Sequence, residues 1–288
     1  MLTFIINPTA GGGRAVRTES ELRTELERRG MAYEMLHTTA PGHATLLARE
    51  AAARGDCEAV IAVGGDGTAF EAACGVQGSG VPLGIIPSGT GNDFVKTAGL
   101  PRRPLEALRF ILTHRPRPVD IGRVNDRYFL NVCGTGFDVT VLEQAAALSG
   151  RFHGLLPYLV GVIRAIARFE PVHVRYEIDG REQERDVLLM SVANGRFIGG
   201  GIPICPAAAL SDGLLDVVMV DVLPRWRIPF FLPGLMAGRI LRFSVTHHIR
   251  CSRLRIERPM MSLQADGEIY RMDEADFEIM PGGLLLYW

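Results

Sequence analysis

Residues 64–71 read Gly-Gly-Asp-Gly-Thr-Ala-Phe-Glu and directly follow the apolar run Ala59–Val63. The run predicts a buried strand, and the glycines after it let a backbone come close to a bulky anion. Backbone N–H groups at the start of the helix predicted from Thr68 favour a phosphate. Asp66 fits such a site if a cation accompanies the anion, and Mg²⁺ with a nucleotide meets this need because Mg²⁺ binds carboxylates and phosphate oxygens. A tight turn capped by Asp66 or Thr68 is the alternative.

The first 120 residues alternate short apolar runs with segments of helical spacing. The predicted strands are Leu2–Ile6, Tyr33–Thr38, Ala59–Val63 and Leu83–Ile86, and the predicted helices include Glu19–Arg29, His43–Arg54 and Leu105–Leu112. This alternation predicts an α/β domain with a parallel sheet. Polar glycine-rich loops follow Ile6, Val63 and Ile86. Because ligands of such sheets bind beyond the carboxyl ends of the strands, we expect the three loops to converge on one crevice.

The pattern changes after residue 118, where strand-like segments and turns predominate. Hairpins are predicted around Asn125-Asp126 and Asp179-Gly180, the second with a favoured turn pair. Further predicted strands are Leu214–Val220, His247–Ile256, Phe277–Met280 and Leu284–Tyr287, and predicted helices are Val139–Ala147 and Leu155–Phe169. The sequence therefore predicts an α/β domain over residues 1–118 and a mostly antiparallel β-sandwich over residues 119–288.

Composition excludes several classes of protein. The chain has 288 residues and a formal net charge of -1, which gives no electrostatic case for nucleic acid or for strong attraction to an anionic membrane. Five cysteines, an odd number without a Cys-x-x-Cys pair, argue against both a disulfide framework and a zinc site and predict free, mostly buried thiols. No signal peptide and no run of the ~20 apolar residues needed to span a bilayer is evident. We therefore expect a cytoplasmic protein that can touch a membrane surface peripherally.

Several polar residues of the second half carry alternatives. Asp120 lies inside an apolar strand and needs either an arginine partner or a coordinating role. Asp212-Gly213 and Asp266-Gly267 read, taken alone, as turns. His247 and His248 are adjacent on a predicted strand, so they point to opposite faces and do not form a metal pair. A solvated strand surface, rather than a patch for lipid headgroups, is expected for Arg250, Arg253, Arg255 and Arg258.

As a set, the motifs resemble the diacylglycerol kinase catalytic-domain family. They are Asn7-Pro8-x-x-Gly11, Gly64-Gly65-Asp66-Gly67-Thr68, Gly89-Thr90-x-Asn92-Asp93-Phe94, Asp120-Ile121-Gly122 and Asp266-Gly267-Glu268. The likeness is greatest to the soluble bacterial lipid kinases, with sphingosine and ceramide kinases more distant. The resemblance runs from residue 7 to residue 268 and so covers nearly the whole chain.

The resemblance implies an ATP-binding α/β domain, a β-sandwich domain for the lipid substrate, and transfer of the γ-phosphate of ATP to a hydroxyl of diacylglycerol or a related lipid alcohol. The residues implied to contact ATP are Asn7, Pro8, Thr9, Ala10, Gly11, Thr38, Gly65, Asp66, Gly67, Thr68, Ala69, Phe70, Glu71 and Thr90. The sequence departs from the family at Ala69-Phe70, where relatives usually carry leucine and asparagine.

The resemblance also assigns chemical roles. Glu268 matches the family's proposed general base, with Asp66 as the alternative base. Asp66, Asp120 and Asp266 match carboxylates around the nucleotide and its Mg²⁺. A separate structural Mg²⁺ would be bound by Asp212 with the carbonyl groups of Ala209 and Leu214.

Two other functions stay open at this point. An NAD kinase shares the Gly-Gly-Asp-Gly-Thr loop, although the Gly89–Phe94 segment favours the lipid kinases. A non-catalytic lipid- or nucleotide-binding regulator would tolerate loss of acidic residues that this chain retains. Expected partners are a lipid substrate at a membrane surface and no nucleic acid, and a homodimer is one alternative for the oligomeric state. The apolar segments Leu155–Ile163 and Phe230–Met236 are expected to be packed core helices rather than an acyl site or a membrane contact.

Overall fold

The computed structural model describes residues 1–146, 156–178 and 180–288. The chain divides into two compact units. The first comprises Met1–Ile121, Leu210–Gly213 and Met280–Trp288, and the second comprises Gly122–Ala209 and Leu214–Ile279. The first unit thus takes in residues 119–121, 210–213 and 280–288, which a division of the sequence at residue 118 assigns to the second domain.

The first unit alternates strands and helices, as the sequence predicts. Its elements are β1 (Leu2–Ile6), α1 (Arg14–Arg28), β2 (Tyr33–His37), α2 (His43–Ala53), β3 (Ala59–Gly64), α3 (Asp66–Val76), β4 (Leu83–Pro87), α4 (Asp93–Thr97), α5 (Pro104–Thr113) and the first part of β5 (Pro116–Val124).

Strands β1 to β4 of this unit run in one direction. β1 lies between β2 and β3, with Ile6 opposite His37 on one side and Val63 on the other. β4 pairs in parallel with β3. Every residue of β1, β3 and β4 is buried, which explains why these strands read as unbroken apolar runs rather than alternating ones. The loops after β1, β3 and β4 therefore leave from the same edge of the sheet.

Helix α1 is longer than its sequence pattern predicts. It begins at Arg14, five residues before the predicted start at Glu19. Gly13 precedes it with φ of 90°, a left-handed conformation that glycine adopts without a steric penalty. Leu22 and Leu26, whose spacing predicts the helix, are fully buried in the core of this unit.

The second unit is built mainly from strands. Its elements are the end of β5, β6 (Arg127–Phe129), β7 (Val132–Gly136), α6 (Phe137–Ala146), α7 (Leu156–Arg168), β8 (Val172–Ile178), β9 (Arg181–Ala193), β10 (Leu215–Asp221), α8 (Ile228–Met236), β11 (Thr246–Cys251), β12 (Arg253–Ala265) and most of β13 (Glu268–Tyr287).

These strands pair in an antiparallel manner. β9 and β12 each pair with both β7 and β8, and β12 also pairs with β13. Tyr176 of β8 and Phe277 of β13 belong to one buried core cluster of this unit. β10 extends this arrangement from β9, and β11 pairs with β10. The Asn125-Asp126 turn joins β5 to β6 as predicted. Of the second predicted turn, Asp179 lies outside the described residues.

Two strand predictions near the C-terminus are wrong. The segment His247–Ile256 is not one strand, because β11 ends at Cys251 to pair with β10 while β12 begins at Arg253 and pairs with β13. Phe277–Met280 and Leu284–Tyr287 are not separate strands but parts of β13. Pro281-Gly282-Gly283 separates these two predicted strands, yet β13 continues through it with Gly282 at φ of 62°.

The apolar segments have mixed outcomes. Leu155, the predicted start of α7, and Ala147, the predicted end of α6, lie outside the described residues. Helix α8 buries Ile228, Phe231 and Leu235 but exposes Phe230, so the expectation of a packed core helix holds for one face only. Among the described residues, no helix is both long enough and apolar enough to cross a bilayer. All five cysteines are free; Cys133, Cys205 and Cys251 are buried as expected, whereas Cys57 and Cys74 are partly exposed.

Candidate functional site

The three glycine-rich loops of the first unit meet at the end of its sheet. A Cβ placed on Gly89 would lie 2.4 Å from Cα of Gly65, so only glycines let these two loops approach so closely. A Cβ on Gly11 would lie 2.1 Å from the carbonyl oxygen of Ser88, and Gly11 also has φ of 61°. The predicted convergence of the three loops is therefore confirmed.

Asn7 connects the first loop to the second. Its amide Nδ2 donates to Thr68 Oγ1 at 3.2 Å, while its Oδ1 accepts from the backbone N–H of Thr9 at 3.1 Å and from the Thr9 hydroxyl at 2.8 Å. The backbone N–H of Asn7 donates to the carbonyl of Val63 at 3.1 Å. Asparagine suits this position because its side chain can donate to one loop and accept from the other.

Arg14 connects the first loop to the third, and sequence reasoning did not single it out. Its Nε donates to the carbonyl of Gly11 at 3.0 Å and its Nη2 donates to the carbonyl of Gly89 at 3.1 Å. The only signal in the sequence is an arginine directly after three glycines. The guanidinium places a fixed positive charge beside loops whose shape favours an anion.

A polar pocket of about 270 Å³ opens within the first unit. Its lining residues are Asn7, Thr9, Thr38, Thr39, Ala40, Pro41, Ala44, Gly67, Thr68 and Glu71. Six of the residues implied to contact ATP therefore lie around one cavity, namely Asn7, Thr9, Thr38, Gly67, Thr68 and Glu71. Gly67 and Thr68 belong to the first turn of α3, where unpaired backbone N–H groups favour phosphate.

Glu71 has a structural contact that the sequence did not predict. Its Oε1 accepts from the backbone N–H of Gly42 at 2.8 Å and its Oε2 accepts from that of Ala44 at 3.0 Å, at the start of α2. The hydroxyl of Thr45 donates to the carbonyl oxygen of Glu71 at 2.9 Å. Glu71 thus satisfies the amide of Gly42 and one amide in the first turn of α2, and it fixes the segment that forms one wall of the pocket.

Asp66 occupies the first position of α3 and is partly buried. Its Oδ1 accepts from the backbone N–H of Phe94 at 3.1 Å. Burial, and secondarily the nearby carboxylate of Asp93, raises the pKa of Asp66. Asp93 is itself paired at 3.0 Å with Lys96, the only lysine of the chain. Hard divalent cations bind carboxylate oxygens. The carboxylates of Asp66 and Asp93, which lie beside the glycine-rich loops, therefore fit Mg²⁺.

Asp120 is held by backbone amides. The side chain is 3% exposed, and its Oδ2 accepts from the N–H of Gly213 at 2.7 Å while its Oδ1 accepts from the N–H of Gly282 at 2.8 Å. The N–H of Asp120 donates to the carbonyl of Leu210 at 2.7 Å. These contacts hold residues 210–213 and Gly282 against β5 within the first unit, so the Asp120 carboxylate has a structural function.

In the second unit, Asp266 and Gly267 form the two-residue turn between β12 and β13. Both take positive φ, 46° and 94°, as a type I′ turn requires, so the hairpin expected for this pair is present. The Asp266 carboxylate accepts backbone N–H groups from three successive residues, Leu130 at 2.6 Å, Asn131 at 2.8 Å and Val132 at 3.1 Å.

Glu268 follows this turn and is exposed. The phenolic hydroxyl of Tyr270 donates to Glu268 Oε2, and the guanidinium of Arg127 lies 4.4 Å from the centre of the Tyr270 ring. Burial, followed by the contact with Glu268, raises the pKa of Tyr270 to about 12. Sequence reasoning missed Tyr270, although its position two residues beyond Glu268 on a strand places both side chains on one face.

The remaining predicted residues lie in the same loops or in a short segment before β10. Thr90 is exposed, Ala69 is buried, and Pro8, Ala10, Gly65 and Phe70 are partly buried. The residues predicted to bind a structural Mg²⁺, Ala209, Asp212 and Leu214, lie in the segment before β10, and Asp212 is exposed. One carboxylate and two carbonyl groups suit a hard cation, and this site stays a prediction.

Comparisons with known proteins agree with this architecture. The family model of the diacylglycerol kinase catalytic domain matches residues 1–124, and that of the YegS C-terminal NAD kinase β-sandwich-like domain matches residues 131–288. The chain is 32% identical to a diacylglycerol kinase of Mycobacterium tuberculosis, over 98% of this chain and 93% of that protein. It is 30% identical to a diacylglycerol kinase of Bacillus subtilis, over 95% of this chain and 91% of that protein.

A solved Bacillus anthracis structure, described as a candidate diacylglycerol kinase, superposes with a TM-score of 0.80 at 27% identity and covers 100% of this chain and 96% of that one. Similarity over both units, together with the loops and the pocket described above, leaves one assignment. The chain belongs to the diacylglycerol kinase catalytic-domain family.

Proposed function

We propose that this protein is a lipid kinase that transfers the γ-phosphate of ATP to the hydroxyl of diacylglycerol or a related lipid alcohol. The observation that carries the proposal is the convergence of three glycine-rich loops beside one polar pocket, in a chain of this family. The relatives named as diacylglycerol kinases support the lipid as acceptor.

Phosphoryl transfer needs a positioned triphosphate, a cation to offset its charge and a group that takes the proton of the attacking hydroxyl. Asn7, Thr68 and the amides at the start of α3 would position the phosphates. Asp66 would hold Mg²⁺, which supplies charge neutralisation on the transferred phosphoryl group when bound. Glu268 would accept the hydroxyl proton, and Tyr270 would orient its carboxylate.

Incubation of the purified protein with radiolabelled ATP, Mg²⁺ and a panel of lipid alcohols tests the proposal. We expect a labelled phospholipid, and we expect Asp66→Asn to slow its formation at least ~10²-fold while the protein stays folded. Transfer of label to NAD instead would establish an NAD kinase. Tight lipid or nucleotide binding without transfer, even in a single turnover, would establish a regulator.

We further propose that residues 225–242 attach the protein peripherally to an anionic lipid surface. This segment carries four arginines and no acidic residue. Its apolar side chains are split, since Phe231 and Leu235 are buried whereas Trp226 is 70% exposed and Phe230 is 78% exposed. Exposed aromatic side chains flanked by arginines are typical of segments that lie in a membrane interface.

Co-sedimentation with phosphatidylcholine vesicles, with and without phosphatidylglycerol, tests this attachment. We expect binding that requires the anionic lipid and that falls at least ~10-fold in the double variant Trp226→Ala, Phe230→Ala, which removes a large buried apolar area from the interface. Met260→Ala is the matched control because Met260 is also exposed, at 72%, but lies outside the segment. Equal binding by all three proteins would refute the assignment of this segment.

A further inference from the structure

Three side chains of the second unit that are capable of binding a metal gather in one place outside the sites described above. Sγ of Cys205, a carboxylate oxygen of Asp216 and a ring nitrogen of His248 all lie within 4.8 Å of one another. Among the described residues no other group of three His, Cys, Asp or Glu side chains meets this condition. The residues come from a loop, from β10 and from β11, so the fold rather than a sequence motif brings them together.

The strand register explains how they meet. On β10, Asp216 points to the same face as Val218, and Val218 lies directly opposite His248 of β11. Cys205 packs in the same core cluster as Val218, with its side chain fully buried. His247 points to the other face, where its Nε2 lies 2.9 Å from Asp221. The two adjacent histidines therefore do not share an ion, as their spacing predicts, but His248 finds other ligands.

The carboxylate of Asp216 is incompletely satisfied. The residue is 1% exposed, and its Oδ1 contacts His248 Nε2 at 2.6 Å, with Nε of Arg250 at 3.8 Å. Its Oδ2 has no hydrogen-bond partner among the described residues. A buried carboxylate oxygen without a partner is unfavourable, and native structures nearly always supply a donor, a water or an ion.

We propose that Cys205, Asp216 and His248 bind one Zn²⁺ ion, with a thiolate, a carboxylate oxygen and an imidazole nitrogen as ligands. Zinc takes this mixture of sulfur, nitrogen and oxygen, whereas Mg²⁺ takes oxygen alone. Ligand atoms of a tetrahedral zinc site are roughly 3.3 to 3.6 Å apart, as bond lengths of ~2.0–2.3 Å require, and the three atoms here lie within 4.8 Å of one another. Asp216 Oδ2 can ligate zinc without losing a contact of its own, whereas ligation through His248 Nε2 replaces the 2.6 Å contact of that nitrogen with Asp216 Oδ1.

Of the three residues, His248 is the one that is partly exposed to solvent. The His248 side chain is 26% exposed and lies on β11, whereas Cys205 and Asp216 are buried. We expect a water molecule to complete the tetrahedron from the His248 side. When Cys205 coordinates the ion as a thiolate, its proton is released to solvent. The site is independent of the proposed phosphoryl transfer.

The test is metal binding by the purified full-length chain after treatment with a chelator. In competition with a chromophoric zinc indicator, we expect one Zn²⁺ per chain and an affinity that falls at least ~10-fold in His248→Gln and in Cys205→Ser. Excess Mg²⁺ should not displace the zinc. The matched controls are His247→Gln, on the same strand but the opposite face, and Cys251→Ser, which removes another buried thiol.

Cobalt gives a second readout. The Co²⁺-loaded parent and both control variants should show a near-ultraviolet sulfur-to-cobalt charge-transfer band, and Cys205→Ser should lack it. If Cys205→Ser does not fold, the partly exposed His248→Gln variant carries the test by its zinc affinity. Failure of the parent to bind zinc stoichiometrically, or parental affinity in a folded His248→Gln, would show that the cluster is only a hydrogen-bonded group.

Discussion

Replacing Asp120 tests whether its carboxylate acts mainly on the backbone of this protein. Its two oxygens accept amides of Gly213 and Gly282 at 2.7 and 2.8 Å in a buried position. A hydrogen bond to a charged group contributes about 1.5–3 kcal/mol, so Asp120→Ala, which removes both acceptors, should lower the free energy of unfolding by ~3–6 kcal/mol. Asp120→Asn keeps one acceptor and should cost about half as much.

Thermal melting and urea unfolding of purified variants measure this effect. At ~2–4 °C per kcal/mol for a domain of 150–250 residues, Asp120→Asn should lower the melting temperature by roughly 3–12 °C. Asp126→Asn is the matched control, because Asp126 lies in the nearby β5–β6 turn with its side chain 86% exposed and should change the melting temperature little. Parental stability of Asp120→Asn, combined with weaker binding of Mg²⁺–ATP, would refute this reasoning and place the carboxylate in the nucleotide site.

Three further predictions concern other carboxylates. Asp66→Asn should lose at least ~10²-fold in turnover without a large change in melting temperature, as measured by initial rates of lipid phosphorylation, because the cation contributes several kcal/mol of charge stabilisation. Glu268→Gln should keep parental affinity for Mg²⁺–ATP but lose ~10²–10⁴-fold in turnover, and its pH–rate profile should lose the acid limb. Tyr270→Phe should lose less turnover than Glu268→Gln. An intact acid limb in Glu268→Gln would exclude Glu268 as the base. Burial raises the pKa of Asp138 from 3.8 to about 6, so the folded state binds its proton more tightly and stability should fall, by up to about 3 kcal/mol, as pH rises from 4 to above 6. Asp138→Asn should remove this part of the pH dependence in urea titrations at pH 5 and 7.5; an unchanged slope would refute it.

The sequence predicted those parts of the fold that depend on local pattern. Buried parallel strands appear as unbroken apolar runs, and β1, β3 and β4 lie where those runs occur. The sequence did not predict the ends of strands where those ends depend on pairing with another strand. The break after Cys251 follows from pairing of β11 with β10, and the continuation of β13 through Gly282 is set by contacts that local composition does not encode.

Two buried carboxylates, Asp120 and Asp216, show a related limit of sequence-based prediction. Asp120 was singled out because a charge inside an apolar strand is costly, and the same reasoning applies to Asp216 inside Leu215–Asp221, which was not singled out. Cys205 and His248 are 43 residues apart in sequence and carry no motif spacing. The register between β10 and β11 brings His248 to the face of Asp216, and such register is a property of the folded sheet.

A motif identifies residues but does not identify their partners. Among the acidic residues that the resemblance marks, Asp66, Glu71, Asp120 and Asp266 all accept backbone amides, and in each case the donor lies in a distant loop or at the start of another helix. A carboxylate is the strongest available acceptor for such amides, so the same residue type that binds a cation also fixes loop geometry. Glu268 differs because it is exposed and accepts from a side chain, Tyr270. We infer that substitution of the four amide-bound residues will combine loss of loop order with any loss of chemistry, and that Glu268 is the position where the chemical effect can be measured most cleanly.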